Sequence, residues 1–489
     1  MFSLNIKPQY IPARYFSFCV LLTVLLVTLS IRSLQGELFI TDAQYMVAAG
    51  RWIIANGHLP TTDPLSIHSE LTYICQQYPI CILVAVLYDT FGEMSVRLFF
   101  ALLDMVAVLF IWYQTFPKAG NRILHCAVSC VFGAVIVYSL RSTPRALDIL
   151  CLAVSWELME KYIESRDIRF LFGFPFLGIF IANLHGALWP CAIMLPLAAL
   201  LDSKLDSNAR IALAVTVLLT IASAMLNPYG LDVLSLPFKT IGTSDVATVA
   251  VPELKPMFSI VPVEAVILIV ISVVPVIFHA KCLGFKKAVF SFETMMISGL
   301  LFLSLMTWRN ELLLLGILMI VYSTWCWKLE PKCKVSSKML SRIVLFSISV
   351  VALEFGAVLF YSTLSATDQK SISIERAFQA MREDGAVSGT AVLTDIDPGC
   401  RAELNGFKPY LDTRIEVFNG QNNGQKNVLA EAGKALSSGN LSAICDDYGM
   451  DYAVLNYGIN DVGIQDLKES GFKTLYSDGL TVCLKRSTV

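Results

Sequence analysis

Phe16-Ser-Phe-Cys-Val20-Leu-Leu-Thr-Val-Leu25-Leu-Val-Thr-Leu-Ser30-Ile-Arg-Ser-Leu34 carries one charge, Arg32, and Gln35-Gly36-Glu37 follow at once. A helix needs about 20 apolar residues to cross a bilayer core, and this run has that length. No small-residue cleavage site follows it, so it reads as a retained anchor rather than a removed leader. Outward from it, the same texture returns at 95–115, 123–140, 144–160, 168–183, 186–201, 210–226, 259–280, 288–306, 311–327 and 342–363. The fold class expected is a polytopic α-helical membrane protein of about 11 transmembrane helices, followed by a C-terminal extracytoplasmic α/β domain. Composition agrees: of 489 residues, 55% are hydrophobic and 16% charged, against roughly a quarter charged in an ordinary soluble domain. The 37 basic residues balance 39 acidic ones and form no long cationic tract, which speaks against a nucleic-acid partner.

Loop charges orient the spans, because Lys and Arg are retained on the cytoplasmic side. With the N-terminus inside, the cytoplasmic loops hold seventeen Lys and Arg, while the opposite loops hold six: Arg51, Arg141, Arg145, Lys239, Lys255 and Arg309. That bias places the 34–94 loop, the 227–258 loop and the C-terminal domain outside the cytoplasm. Residues Tyr78–Phe91 are apolar but short, and counting them as a span would invert the charge clusters that follow. They read as a helix in the outer interface.

The chain therefore divides into a transmembrane domain at 1–363, including the 34–94 outer loop with its interfacial helices, and a soluble domain at 364–489. In the second, strand-like runs at Thr390–Thr394, Phe407–Val417, Tyr452–Asn456 and Leu480–Leu484 alternate with helical patterns at Ile374–Arg382, Lys426–Ser437, Leu441–Tyr448 and Ile464–Glu469. Such alternation indicates a small α/β domain. Of the 13 cysteines, Cys75, Cys81, Cys400, Cys445 and Cys483 fall outside the cytoplasm. Five is odd, so no complete disulfide framework is implied; a Cys400–Cys445 bridge stays open.

Chemistry is to be sought where polar residues collect at the outer face. Glu37 and Asp42 stand just beyond the first span, beside Tyr45, Arg51 and Trp52. An acidic group there serves as base or metal ligand at the lipid boundary, or merely caps a short helix. At the same depth lie Arg141 and Arg145 around Pro144, Asn183-Leu184-His185-Gly186, Asn227-Pro228-Tyr229-Gly230, Glu253 with Lys255, and Trp308-Arg309-Asn310. Singly each has a plain reading: Asn-Pro-Tyr-Gly makes a turn, and arginine at a span end snorkels. Together they supply cations for a phosphate and carboxylates for a hydroxyl, with apolar helices to hold a lipid tail.

Taken in order, these residues resemble a known family. Asp42…Tyr45…Gly50, the run Gly57-His58-Leu59-Pro60-Thr61-Thr62-Asp63-Pro64-Leu65-Ser66, Thr143-Pro144-Arg145, Asn183 to Gly186, Asn227 to Gly230 and Asp412-Thr413-Arg414-Ile415-Glu416 are similar to the motifs of bacterial GT-C-type membrane glycosyltransferase-like proteins. That group is related to the protein mannosyltransferases and the aminoarabinose transferase of lipid A. The resemblance implies a multi-pass protein of the bacterial cell membrane with an outward-facing active site between the first loop and the bundle. It further implies transfer of a sugar from a polyprenyl-phosphate-linked donor to an extracytoplasmic glycan, lipid or protein. The first-loop acid, here Asp42, is assigned by it to acceptor activation or to a divalent metal ion. The chain departs from the pattern at Met46, where many relatives have His, and at Gln76-Gln77-Tyr78, where they have His-Glu-Trp. An amide is no general base, so any role resting on that Glu is lost.

The enzyme reading takes Asp42 as base or metal ligand and Arg145 or Arg309 as a clamp for the donor phosphate. His185 and Glu253 line the acceptor site, and Asn183 is counted with them as substrate-binding. The alternative is a catalytically degenerate, membrane-anchored binding or assembly protein of the cell envelope. A transporter ranks third, since the spans hold few charges (Asp104, Glu264, Glu293 and Glu354) and no matched pair of broken helices.

Overall fold

A computed structural model of the chain describes residues 13–34, 41–140, 143–240, 252–325, 337–363 and 367–487; Glu37 and Arg141 lie outside them. The first ten helices are α1 (Ala13–Leu34), α2 (Thr41–Asn56), α3 (Tyr78–Phe91), α4 (Glu93–Thr115), α5 (Arg122–Ser139), α6 (Arg145–Ser165), α7 (Gly173–Leu184), α8 (Cys191–Leu200), α9 (Ser207–Ala224) and α10 (Leu231–Thr240). Further helices cover Pro262–Leu283, Phe292–Met306, Glu311–Ile320 and Ser337–Thr363. All eleven apolar runs are thus helical over most of their length. Five of the described helices are long and apolar enough to cross a membrane: Ala13–Ser33, Glu93–Lys118, Arg122–Ser139, Ser207–Ala224 and Pro262–Leu283. Of the rest of the expected eleven, Ile168–Leu184, Gly186–Leu200 and Phe292–Met306 are shorter apolar helices. The protein is a multi-pass membrane protein.

Local chemistry sets the helix ends. The side chains of Asn121, Asp206 and Ser291 accept backbone N–H groups at the starts of α5, α9 and Phe292–Met306, satisfying donors that the helix cannot. α1 buries Leu21, Leu25 and Leu29 at four-residue spacing and leaves Leu26 and Val27 exposed. Exposed Leu98, Phe176, Leu218 and Val263 on other helices suit a surface solvated by lipid rather than water. Within the bundle, Arg32 of α1 donates to Asp104 of α4 and to the Val137 carbonyl of α5, both at 3.0 Å. Close helix contact needs small residues: a Cβ on Gly178 would sit 2.8 Å from the Thr220 carbonyl of α9.

The C-terminal domain holds a five-stranded sheet in the order β2-β1-β3-β5-β4. Its strands are β1 (Ala391–Thr394), β2 (Lys408–Pro409), β3 (Tyr452–Asn456), β4 (Phe472–Ser477) and β5 (Thr481–Arg486). β2, β1 and β3 are parallel, and β5 runs antiparallel between β3 and β4. The long strand expected over Phe407–Val417 is two residues of strand, followed by a segment that leaves the sheet to meet the first loop. Cys400 and Cys445 carry free thiols, so they form no bridge.

That meeting positions the site. α2 packs on α3 and on the helix Ile396–Leu404. Ile67 N donates to the Pro409 carbonyl at 3.1 Å, and His68 sits against Tyr410, Phe418 and Tyr448. Arg414 inserts its buried guanidinium between the two parts. It donates to Asp63 Oδ1 at 2.6 Å, Glu403 Oε1 at 2.6 Å and Asp412 Oδ2 at 2.5 Å, with the Tyr73 ring 4.9 Å away.

Candidate functional site

Asp42 lies in the first turn of α2, whose Ala43, Met46, Val47 and Ala49 are buried. The helix is thus fixed along its length while its first turn faces the bundle. Burial pushes the Asp42 carboxyl up, against the Thr413 hydroxyl that hydrogen-bonds it and the Arg309 and Arg145 charges nearby; Glu253 adds to the rise. The group is a carboxylate held among cations yet poor in water, the setting of a base.

Arg145 opens α6 directly after Pro144, and its Nη2 meets Glu253 Oε2 at 2.5 Å. Its buried Nε has no hydrogen-bond partner. Arg309 sits on the 3-10 turn Trp308–Asn310, which is anchored where Trp308 N donates to the Lys255 carbonyl at 3.1 Å. The neighbouring Arg145 charge holds the Arg309 guanidinium below its ordinary value, against the pull of Glu253 and Asp42, although the residue itself is exposed. Two cations pressed together in this way gain from an added anion.

Arg145, Glu253 and Arg309 line one cavity of about 260 Å³, together with Glu264, Trp308 and Glu311. Its other wall is apolar, including Leu268, Ile271, Leu312, Leu315 and Phe355 from the helices Pro262–Leu283, Glu311–Ile320 and Ser337–Thr363. The space is polar at one end and hydrocarbon along its length. Asp42 does not line it, but is an electrostatic neighbour of three of its charged groups.

His185 is reached one step further on. It is buried, and its Nδ1 lies 2.9 and 2.8 Å from the two oxygens of Asp148, which fixes the ring and its tautomer. Asp148 in turn shares a small crevice with Arg145, Arg309 and Asn310. Asn183 lies apart from the cavity: its Oδ1 accepts from Tyr78 at 3.2 Å, and its Nδ2 donates to the Ile179 and Leu226 carbonyls at 2.8 and 3.0 Å. Its amide ties α3, α7 and the Asn227 turn together.

Several residues of the site were not singled out as such from sequence. Thr413 and Glu416 come from the C-terminal domain, within the quoted Asp412–Glu416 element. Burial raises the Glu416 carboxyl, and the charges of Arg309 and Arg414 oppose the rise; its Oε1 accepts from Gln76 Nε2 at 3.4 Å. Gln76 also clasps the His185 turn, accepting from Gly186 N through its carbonyl at 3.0 Å and from Ala187 N through its side chain at 2.7 Å. Gln77 hydrogen-bonds the Tyr45 hydroxyl. The amides that replace His-Glu are therefore structural ties. Asp148 carried no signal in sequence, because three residues inside an apolar helix it resembles any stray polar group.

A divalent ion requires converging donors. Among the described residues, one group of three does converge, Cys400, Glu403 and Asp412, with ligand atoms within 4.8 Å of one another. The Arg414 guanidinium already occupies Glu403 and Asp412, so the place is held by a protein cation and does not fit a metal. Around Asp42 the groups acting on its charge are the Thr413 hydroxyl, the Arg309 and Arg145 guanidinium groups and the Glu253 carboxylate, and Glu253 is already paired with Arg145, so here too protein cations hold the place.

Neither a family model nor a curated protein sequence matches the chain. Solved structures do. The oligosaccharyltransferase of Archaeoglobus fulgidus, tethered to an acceptor peptide containing the NVT sequon, aligns over 97% of this chain and 74% of its own, with 12% identity and a TM-score of 0.56. The fold is of the GT-C type. The same archaeal protein, named AglB, in complex with an inhibitory peptide and a dolichol-phosphate, aligns at 13% identity and the same score. ArnT from Cupriavidus metallidurans bound to undecaprenyl phosphate covers 96% of the chain at a TM-score of 0.49, too loose to carry an argument. At these identities the likeness concerns the GT-C fold alone; the expected fold type is present, and the activity has to be argued from the site.

Proposed function

We propose that the protein is a membrane glycosyltransferase that moves a sugar from a polyprenyl-phosphate-linked donor to an extracytoplasmic acceptor. The observation that carries this reading is the cavity with a hydrocarbon wall and the Arg145–Arg309 pair at its polar end, beside Asp42. The lipid chain lies along the apolar helices, and the phosphate takes the Arg145 and Arg309 guanidinium groups. Asp42 accepts the proton of the acceptor hydroxyl as that oxygen bonds to the anomeric carbon. The bond from that carbon to the phosphate oxygen breaks, and its electron pair leaves on the lipid phosphate, where the arginines stabilise it. His185, aligned by Asp148, and Glu253 face the acceptor side. In this reading all eleven apolar helices cross or enter the bilayer. The N-terminus is cytoplasmic, and the first loop and residues 364–489 lie outside. The dolichol-phosphate complex of the archaeal neighbour supports the donor class.

Asp42→Asn tests the reading. Removing a general base costs about 10²–10⁴-fold in rate, so glycan transfer by reconstituted protein is expected to vanish while expression and insertion persist. Full transfer by the variant overturns the proposal and favours the binding or assembly protein. Deletion of 364–489 does not separate the two readings, since it removes Thr413 from Asp42 as well as the outer domain.

A further inference from the structure

The first loop contains two cysteines, Cys75 and Cys81, both buried and both free thiols. Cys75 stands two residues before Gln77, the residue that precedes α3, and Cys81 lies one turn inside that helix, its N–H donating to the Gln77 carbonyl at 3.1 Å. The chain wraps around the helix start so that Cys75 Sγ–H points at Cys81 Sγ, 3.8 Å away. Apolar pairs across a helix start fix how the chain enters the helix, and here sulfur atoms occupy that role. The remaining gap to the ~2.05 Å of a disulfide is within reach of thiol side-chain rotation. Both ends are anchored: Tyr78 N donates to the Cys75 carbonyl at 3.1 Å, and α2 crosses so close at Gly50 that a Cβ there would sit 2.0 Å from the Cys81 carbonyl.

We propose that Cys75 and Cys81 form an intramolecular disulfide that staples the start of α3 beneath α2, the helix that carries Asp42. The inference rests on the outward placement of the first loop in the reading above, because disulfides persist only in an oxidising compartment. The oxidant is a disulfide-bearing thiol oxidant of that compartment. One cysteine thiolate attacks its sulfur and releases the first thiol, and the second cysteine then attacks the mixed disulfide and releases the other. Two electrons and two protons leave with the oxidant as its two thiols, and one S–S bond is made for one broken. The closed ring contains Gln76 and Gln77, whose amides hold the His185 turn and Tyr45, so the staple preorganises the frame around the site.

The test counts free thiols in the full chain. Wild type, Cys75→Ser, Cys81→Ser and the double variant are denatured without reductant and labelled with maleimide-polyethylene glycol. The change in count is the readout, because the chain has 13 cysteines. A Cys75–Cys81 bond makes each single variant gain one label over wild type and leaves the double variant equal to it. A loss of one label in each single variant and two in the double overturns the proposal. Non-reducing digestion of the wild type, which requires no variant to fold, yields the linked peptide if the bond exists and only separate peptides if it does not. An alkaline phosphatase fused after Val489, active only outside the cytoplasm, separates the two failures. Lost labels with an active fusion overturn the disulfide alone, whereas lost labels with an inactive fusion overturn the orientation on which it rests.

Discussion

Two arginine clusters lie near the first loop, one closed and one open. Arg414 is completely buried, and three carboxylates use up its donors. Burial, with the Asp412 and Asp63 charges beside it and Arg414 opposing, holds the Glu403 carboxyl well above the usual range. Arg145 and Arg309 sit side by side at the end of a cavity, with Glu253 on one of them and an unpaired Nε. A buried ion cluster complete within the protein joins parts together; an incomplete one bordering a cavity has room for something else. The same residue type thus serves as a lock in one place and, in the proposed reading, as a ligand-binding group a short distance away, and partner count is what separates them.

Breaking the lock has the largest expected effect. Arg414→Ala leaves Asp63 and Asp412 buried without a cation, a change of about 3–5 kcal/mol, read as a lowered thermal midpoint in detergent and as proteolytic release of the C-terminal domain. Glu403→Gln preserves the side chain's shape and removes a charge that burial disfavours, and is expected to be tolerated. If both substitutions are tolerated equally, Arg414 is not the lock.

Asp395 sharpens the comparison by showing a half-buried carboxylate with amides in place of an arginine. Asn460 Nδ2 donates to it at 2.6 Å, and burial, followed by the nearby Asp397 charge, pushes its carboxyl up to about 7. The folded protein therefore holds this proton more tightly than the unfolded chain. Its stabilising contribution is complete below about pH 4 and is lost as the pH rises to about 7, up to about 4 kcal/mol in all. Asp395→Asn should flatten thermal midpoint against pH across that window; an unchanged slope in the variant removes the group from the account. At the open cluster, Arg309→Gln deletes one charged donor to a bound phosphate, worth about 1.5–3 kcal/mol. Binding of polyprenyl phosphate is expected to weaken by roughly tenfold to a hundredfold, with the thermal midpoint of the apo protein unmoved. A loss of fold instead would make Arg309 another lock.

How much of this was legible depends on the range of the forces involved. The apolar helices were, because a lipid-facing helix needs only length and hydrophobicity, and Tyr452–Asn456 was, as a fully buried strand. The helix Ile396–Leu404 was not, because Pro398-Gly399 looks like a turn. Proline is tolerated in a first helical turn, and a Cβ on Gly399 would lie 1.8 Å from the Leu411 carbonyl, so glycine is there for a contact twelve residues away. β4 escaped notice as a half-exposed strand. In the site, Arg145, Glu253 and Arg309 stood out because charge is scarce at span ends. Asn183 stood out through its Asn-Leu-His-Gly turn, yet its amide is consumed by helix contacts. Thr413 acquires its role only when the C-terminal domain docks, a contact across more than 350 residues that local pattern does not encode.

The smallest effect tests burial itself. Arg51 and Asp89 form an ion pair at 2.5 Å between α2 and α3, as short as the Arg414–Asp412 contact, but their side chains are 38% and 47% exposed. Water already solvates both groups, so the pair gains little over separate hydration, and salt screens what remains. Asp89→Asn is expected to cost less than about 1 kcal/mol, and the difference from wild type should disappear in high salt. Arg51→Ala should cost more than Asp89→Asn, because that side chain also packs over the Tyr88 ring and donates to the Leu404 carbonyl, neither of which needs Asp89. If Asp89→Asn instead destabilised the protein as much as Arg414→Ala, contact distance rather than desolvation would rank these ion pairs, and the distinction between closed and open clusters would lose its physical basis.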